Sequence, residues 1–79
     1  MENNLNPRFF KKLIINGQLK RVTVTANPSG FNVFIRTKEA EQPLTTFRGN
    51  VRNFKNLETV VSYLHEFNVM RFEMDIRLY

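Results

Sequence analysis

Through the first half of the chain, apolar runs are cut by turn residues at short, regular intervals. Phe9 to Ile15 is apolar and becomes β-branched towards its end, Asn16-Gly17 follows, and Leu19 to Ala26 carries Val22 and Val24 at alternate places. An Asn-Gly pair between two such runs is a strong hairpin signal, because both central residues of the tightest hairpin turn need a positive φ. Strands are therefore predicted over 9–15 and 19–26. Asn27-Pro28-Ser29-Gly30 reads as a second turn, with proline fixing φ and glycine closing it, and Phe31 to Thr37 alternates as a third strand. The polar stretch Lys38 to Pro43 turns the chain again. Leu44 to Arg48 then predicts a fourth strand, continued past Gly49 through a bulge.

At Leu57 the period changes. Leu57, Val60, Val61, Leu64 and Phe67 fall on one stripe with Glu58, Thr59, Ser62 and Glu66 opposite, the pattern of one amphipathic helix. Asn56 suits its N-cap, and Asn68 suits a left-handed stop after its last turn. Finally Phe72, Met74, Ile76 and Leu78 alternate with Arg71, Glu73, Asp75 and Arg77, which predicts a fifth strand. The expected fold is α+β: a mostly antiparallel five-stranded sheet in chain order β-β-β-β-α-β with one helix packed on one face. Strand order 5-1-2-3-4, the last strand antiparallel to the first, avoids crossing connections. Residues 1–7 are expected to be a disordered polar N-terminus before a single domain over 8–79.

Turn lengths set the registers. A four-residue turn at 27–30 pairs Ala26 with Phe31, hence Val24 with Val33, Thr23 with Phe34, Val22 with Ile35 and Arg21 with Arg36. A two-residue Asn16-Gly17 loop pairs Lys12 with Arg21 and Phe10 with Thr23. One face then gathers Phe9, Leu13, Val22, Val24, Phe31, Val33 and Ile35 under the helix. The other carries Lys12, Arg21 and Arg36 beside Phe10, Thr23 and Phe34, extended by Phe47 if Thr37 pairs Leu44. Exposed rings among cations are what a single-stranded nucleic acid uses, stacking its bases and laying its phosphates on the charges. Burial of the same rings against a second subunit, or a one-residue slip of the first hairpin, are alternative readings of that face.

Composition narrows the function. The chain has 79 residues, 42% of them hydrophobic, with eight Phe and no Cys. That is enough for one core but leaves no disulfide or thiolate metal cage, so a partner subunit is expected to help and the protein is expected to be a homodimer. No run is long and apolar enough to span a membrane, and the start lacks an export signal, so a cytoplasmic protein is expected. Residues 1–55 hold ten Lys/Arg against three Glu, whereas residues 56–79 hold two Arg against four acids. Such a charge split favours polyanions. Chemistry is hard to place: His65 is the only histidine, Glu73 and Asp75 are bracketed by Arg71 and Arg77, Ser29 and Ser62 have no base at readable spacing, and three glycines build no phosphate loop. No enzyme activity, cofactor or metal site is expected.

The stretch Phe54-Lys55-Asn56-Leu57-Glu58-Thr59-Val60-Val61, with Phe67-Asn68-Val69 and Arg71-Phe72-Glu73-Met74-Asp75, resembles the C-terminal half of small plasmid-borne partition-associated proteins of the ParC type. The resemblance implies a bacterial mobile-element protein acting near DNA or partition machinery, with no enzymatic residues to carry over. Four antiparallel strands followed by a helix also resemble the whirly-type single-strand DNA binders, from which the fifth strand departs. The expected function is a non-enzymatic nucleic-acid-binding accessory protein of a plasmid or mobile element, preferring single strands and using Lys12, Arg21, Arg36, Phe10, Phe34 and Phe47. The alternative is a phage- or plasmid-type adaptor or inhibitor that docks the same face on an acidic or DNA-like protein surface.

Overall fold

A computed structural model of the protein describes residues 5–75. Along the chain run α1 (Pro7–Ile15), β1 (Arg21–Asn27), β2 (Gly30–Arg36), β3 (Glu41–Pro43), α2 (Leu57–Glu66) and β4 (Glu73–Asp75). The fold is α+β, with two helices and a four-stranded mixed sheet in the order β3-β2-β1-β4.

The expected first strand is α1. Its start is set by Asn6, whose side chain accepts a hydrogen bond from the Phe9 N–H at 3.0 Å, and by Pro7, whose missing N–H costs nothing in a first turn. Phe10, Leu13 and Ile14 then recur at helical spacing on the side that meets the core. Asn16-Gly17 closes the helix instead of a hairpin. The Gly17 N–H donates to Ile14 O at 3.0 Å and the Gln18 N–H to Leu13 O at 2.9 Å, with Gly17 at φ 68. That is a Schellman stop, which needs the same left-handed glycine as a hairpin turn does.

The hairpin of β1 and β2 has the register read from the sequence, from Arg21 opposite Arg36 through Val24 opposite Val33 to Ala26 opposite Phe31. The expected fourth strand does not form over 44–48. A turn at Lys38-Glu39, where the Thr37 N–H donates to Ala40 O at 2.9 Å, brings β3 in early and sets Glu41 opposite Arg36 and Pro43 opposite Phe34. Leu44 therefore faces Val33, its N–H donating to Val33 O at 2.8 Å, and not Thr37. Residues 44–52 then fold back as a hairpin with Thr45 opposite Val51, and Phe54 pairs with Phe31 on the far part of the β2 edge.

The last strand pairs with β1 in parallel, Thr23 opposite Glu73 and Thr25 opposite Asp75. A change of neighbour explains the difference. With residues 9–15 in a helix, no strand lies between β1 and the last strand; β3 runs with β1, α2 carries the chain back, and β4 pairs directly with β1 in the direction it was expected to have relative to residues 19–26. Ile76, Arg77 and Leu78 of the expected strand lie outside the described residues.

One core results. Val22, Val24, Val33 and Ile35 share one sheet face, and both helices cover it, α1 with Phe10 and α2 with Val60 and Leu64. Phe10 is fully buried and lies 4.7 Å, centroid to centroid, from Phe67, which in turn lies 5.0 Å from Tyr63. Leu5, inside the segment expected to precede the domain, is buried against this layer and bridges to Leu44.

Candidate nucleic-acid interface

Alternation along β1 and β2 turns Arg21, Thr23 and Thr25, and Asn32, Phe34 and Arg36, to the face the helices leave open. Arg21 and Arg36 stand directly opposite each other there, both exposed, with half-buried Phe34 two residues along. The row is flanked by acids that the expected arrangement lacked. Glu41 lies opposite Arg36 from β3, and Glu73 lies opposite Thr23 from β4.

Of the six expected contact residues, the structure gathers Arg21, Arg36 and Phe34 and separates the other three. Phe10 is a core residue with no exposed surface, so it has no ring face to offer a base. Lys12 is exposed in the last turn of α1, on the helical layer rather than on the open sheet face. Phe47 is 68% exposed at the turn of the 44–52 hairpin, and Pro43 holds the place opposite Phe34 that it was expected to take.

Charge is a better guide than the strand registers. Between Glu2 and Glu39 the chain has seven Lys/Arg and no acid. All seven, Arg8, Lys11 and Lys12 on α1 and Lys20, Arg21, Arg36 and Lys38 around one end of the sheet, are exposed. Lys20 is tied to this end by its N–H, which donates to Arg36 O at 2.8 Å. A count of consecutive cations without an acid finds this set from the sequence, whereas strand registers miss Arg8, Lys11, Lys20 and Lys38.

The opposite end of the sheet is built for rigidity. Asn27 Nδ2 donates to Asn32 Oδ1 at 2.7 Å and to Asn53 Oδ1 at 3.1 Å, Asn53 Nδ2 donates to Ser29 O at 3.0 Å, and Asn32 Nδ2 to Arg52 O at 3.0 Å. This network ties residues 52–53 to the β1–β2 turn. The Arg52 guanidinium lies over Tyr63 at 4.7 Å and over Phe54 at 5.0 Å, two cation–π contacts that engage this charge in packing. Burial raises the Tyr63 phenol above its ordinary pKa, against a smaller opposite pull from Arg52 and with a small further push from Glu66. His65 is exposed in the last turn of α2, and no group of three His, Cys, Asp or Glu able to hold a metal ion occurs among the described residues. No described helix is long and apolar enough to cross a membrane.

A small mixed sheet under two helices, with a cationic run at one end, defines a small basic α+β domain. The family model described as ParC-like matches residues 5–79, and the chain belongs to the ParC-like family. That places it with plasmid-associated, partition-related proteins, the group that residues 54–75 resemble. No curated protein and no solved structure matches the chain.

Proposed function

We propose that this protein is a non-enzymatic, nucleic-acid-binding accessory of plasmid partition, holding phosphates on the cations of residues 3–38. One observation carries the reading: seven exposed Lys/Arg without an intervening acid, on α1 and at the adjoining end of the sheet. Phosphate contacts from exposed cations release counterions and supply most of the affinity in sequence-independent binding. The Arg21–Arg36 pair adds to this. Like charges opposite each other in a ladder cost about 0.2–1 kcal/mol, and an anion between them removes that cost. Glu41 offsets part of it from the Arg36 side, which makes Arg21 the better phosphate ligand of the two.

Fluorescence anisotropy with labelled single and double strands of about 20 nucleotides, at low and near-physiological salt, tests the reading. Binding that weakens steeply with salt supports it. No binding tighter than about 100 μM at about 50 mM salt would falsify it, since non-specific association is normally stronger than that.

A protein-binding adaptor is the second reading, and the 44–52 hairpin favours it. Phe47 and Val51 are 68% and 52% exposed there, beside Arg48, an apolar and cationic mixture common at protein interfaces. Nuclease treatment separates the two. A host protein retained on the wild-type chain after nuclease, and lost from Phe47→Ser, supports the adaptor.

A further inference from the structure

A groove of ≈ 950 Å³ runs between the end of α1, the start of β1 and residues 68–73. It exists because β4 pairs with β1 only over Thr23 to Thr25, so Arg21 and Val22 have no strand of β4 beside them. The left-handed Asn68, at φ 62, turns the chain out of α2 and along the groove's far wall. Ile14, Leu19 and Phe72 make an apolar floor, with Met70 65% exposed at the rim. Lys20, Arg21 and Arg71 line the groove against a single acid, Glu73. A smaller cleft of ≈ 320 Å³ shares Ile14 and Asn68 with it and is lined by one cation, Lys11, and one acid, Glu66.

We propose that this groove receives an unstacked nucleotide of a single strand, its base on the apolar floor and its phosphates on Lys20, Arg21 and Arg71. The proposal rests on the nucleic-acid reading above and moves the single-strand preference from the open sheet face to the groove. That face keeps only Phe34 of its three expected rings. The groove combines what a nucleotide needs: an apolar surface including one aromatic ring, and three cations around it. Its volume falls within the range of about 300–1,000 Å³ typical of small-molecule clefts. Duplex bases are stacked and paired, so the floor adds nothing to duplex binding and strand selectivity follows from geometry. Three cations to one acid also exclude a basic occupant.

The test uses the full chain, a labelled oligo-dT and a duplex of equal length, and three variants. Met70→Glu places a charge on the exposed rim, Phe72→Leu removes the ring but keeps the floor apolar, and Arg8→Ala with Lys12→Ala removes two α1 cations outside the groove. Phe72→Leu is expected to weaken oligo-dT about tenfold, the loss of one stacked base, Met70→Glu to weaken it about as much by setting a carboxylate against the entering nucleotide, and both to leave duplex affinity within about twofold. The α1 variant is expected to weaken both strands alike. If the wild type binds nucleic acid but the groove variants weaken both forms equally, or neither, the groove proposal is overturned and the nucleic-acid reading stands. If the wild type binds neither strand but binds oligo-glutamate in a Met70-dependent way, both are overturned and the occupant is an acidic peptide.

Discussion

Gly30 and Gly17 both have positive φ, 148 and 68, yet their surroundings differ. A Cβ at Gly30 would meet the carbonyl of Phe54, the group that accepts the Phe31 N–H at 2.8 Å, whereas nothing lies within 4 Å of a Cβ at Gly17. Gly17→Ala therefore costs only the left-handed backbone, about 1 kcal/mol, while Gly30→Ala adds the broken Phe31–Phe54 pairing and should lose about 2–4 kcal/mol. Urea unfolding of the two variants measures the difference, and equal losses would refute the close approach. Tyr63 offers a second test. Its hydroxyl is buried with no hydrogen-bond partner among the described residues, so Tyr63→Phe should be neutral or stabilising by up to about 1 kcal/mol at neutral pH. Burial raises the folded pKa above the ordinary 10.0, so this group's contribution is complete below that pH and is lost as pH rises through the folded value. Stability of the wild type should thus fall more steeply than that of Tyr63→Phe above that pH, as alkaline urea titrations would show.

At the scale of elements, both helices use asparagine as the N-cap. Asn6 accepts from the Phe9 N–H, and Asn56 accepts from both the Thr59 N–H, at 2.9 Å, and the Thr59 hydroxyl, at 2.8 Å. Alanine at either place should cost about 1 kcal/mol. The two losses should differ in where they act, because Asn6→Ala loosens α1, the element that delivers Phe10 to the core and presents Arg8, Lys11 and Lys12. Hydrogen exchange should show faster opening of residues 9–15 in Asn6→Ala and of 59–66 in Asn56→Ala. Exchange that quickens uniformly in both would mean that the caps act only through global stability.

Whole-molecule properties concern charge and association. Removing two α1 cations with Arg8→Ala and Lys12→Ala should lower the log–log salt slope of duplex binding by about 1.8, one counterion per cation. A slope unchanged by this variant would take α1 out of the interface. Homodimerisation is proposed from the chain's small size and its lack of disulfides, with β4 as one of the two edge strands of the sheet among the described residues. Sedimentation across a micromolar concentration series is expected to show a monomer–dimer equilibrium. A single monomeric species throughout would remove the dimer and leave the edge to other partners.

The α+β class, the β1–β2 register and the α2 caps were legible in the sequence because each depends on neighbours in the chain. Asn27-Pro28-Ser29-Gly30 fixes its hairpin by turn length, and Asn56 and Asn68 act on backbone groups within four residues. The charge split was equally local. The identity of α1 was not settled locally, since residues 9–15 carry both an aromatic, β-branched run that favours a strand and an Asn6-Pro7 start with Phe10, Leu13 and Ile14 at helical spacing. Asn16-Gly17 serves either outcome, because a hairpin turn and a Schellman stop both need a left-handed glycine. Packing decided it: as a helix, α1 buries Phe10 completely against Phe67 and Tyr63 of the α2 layer, a contact between residues more than fifty positions apart. That choice vacated the β1 edge, let β4 pair with β1 directly, drew Phe10 out of the candidate site and opened the groove beside Arg21. None of these four consequences depends on sequence neighbours, which is why only the tertiary structure could decide them.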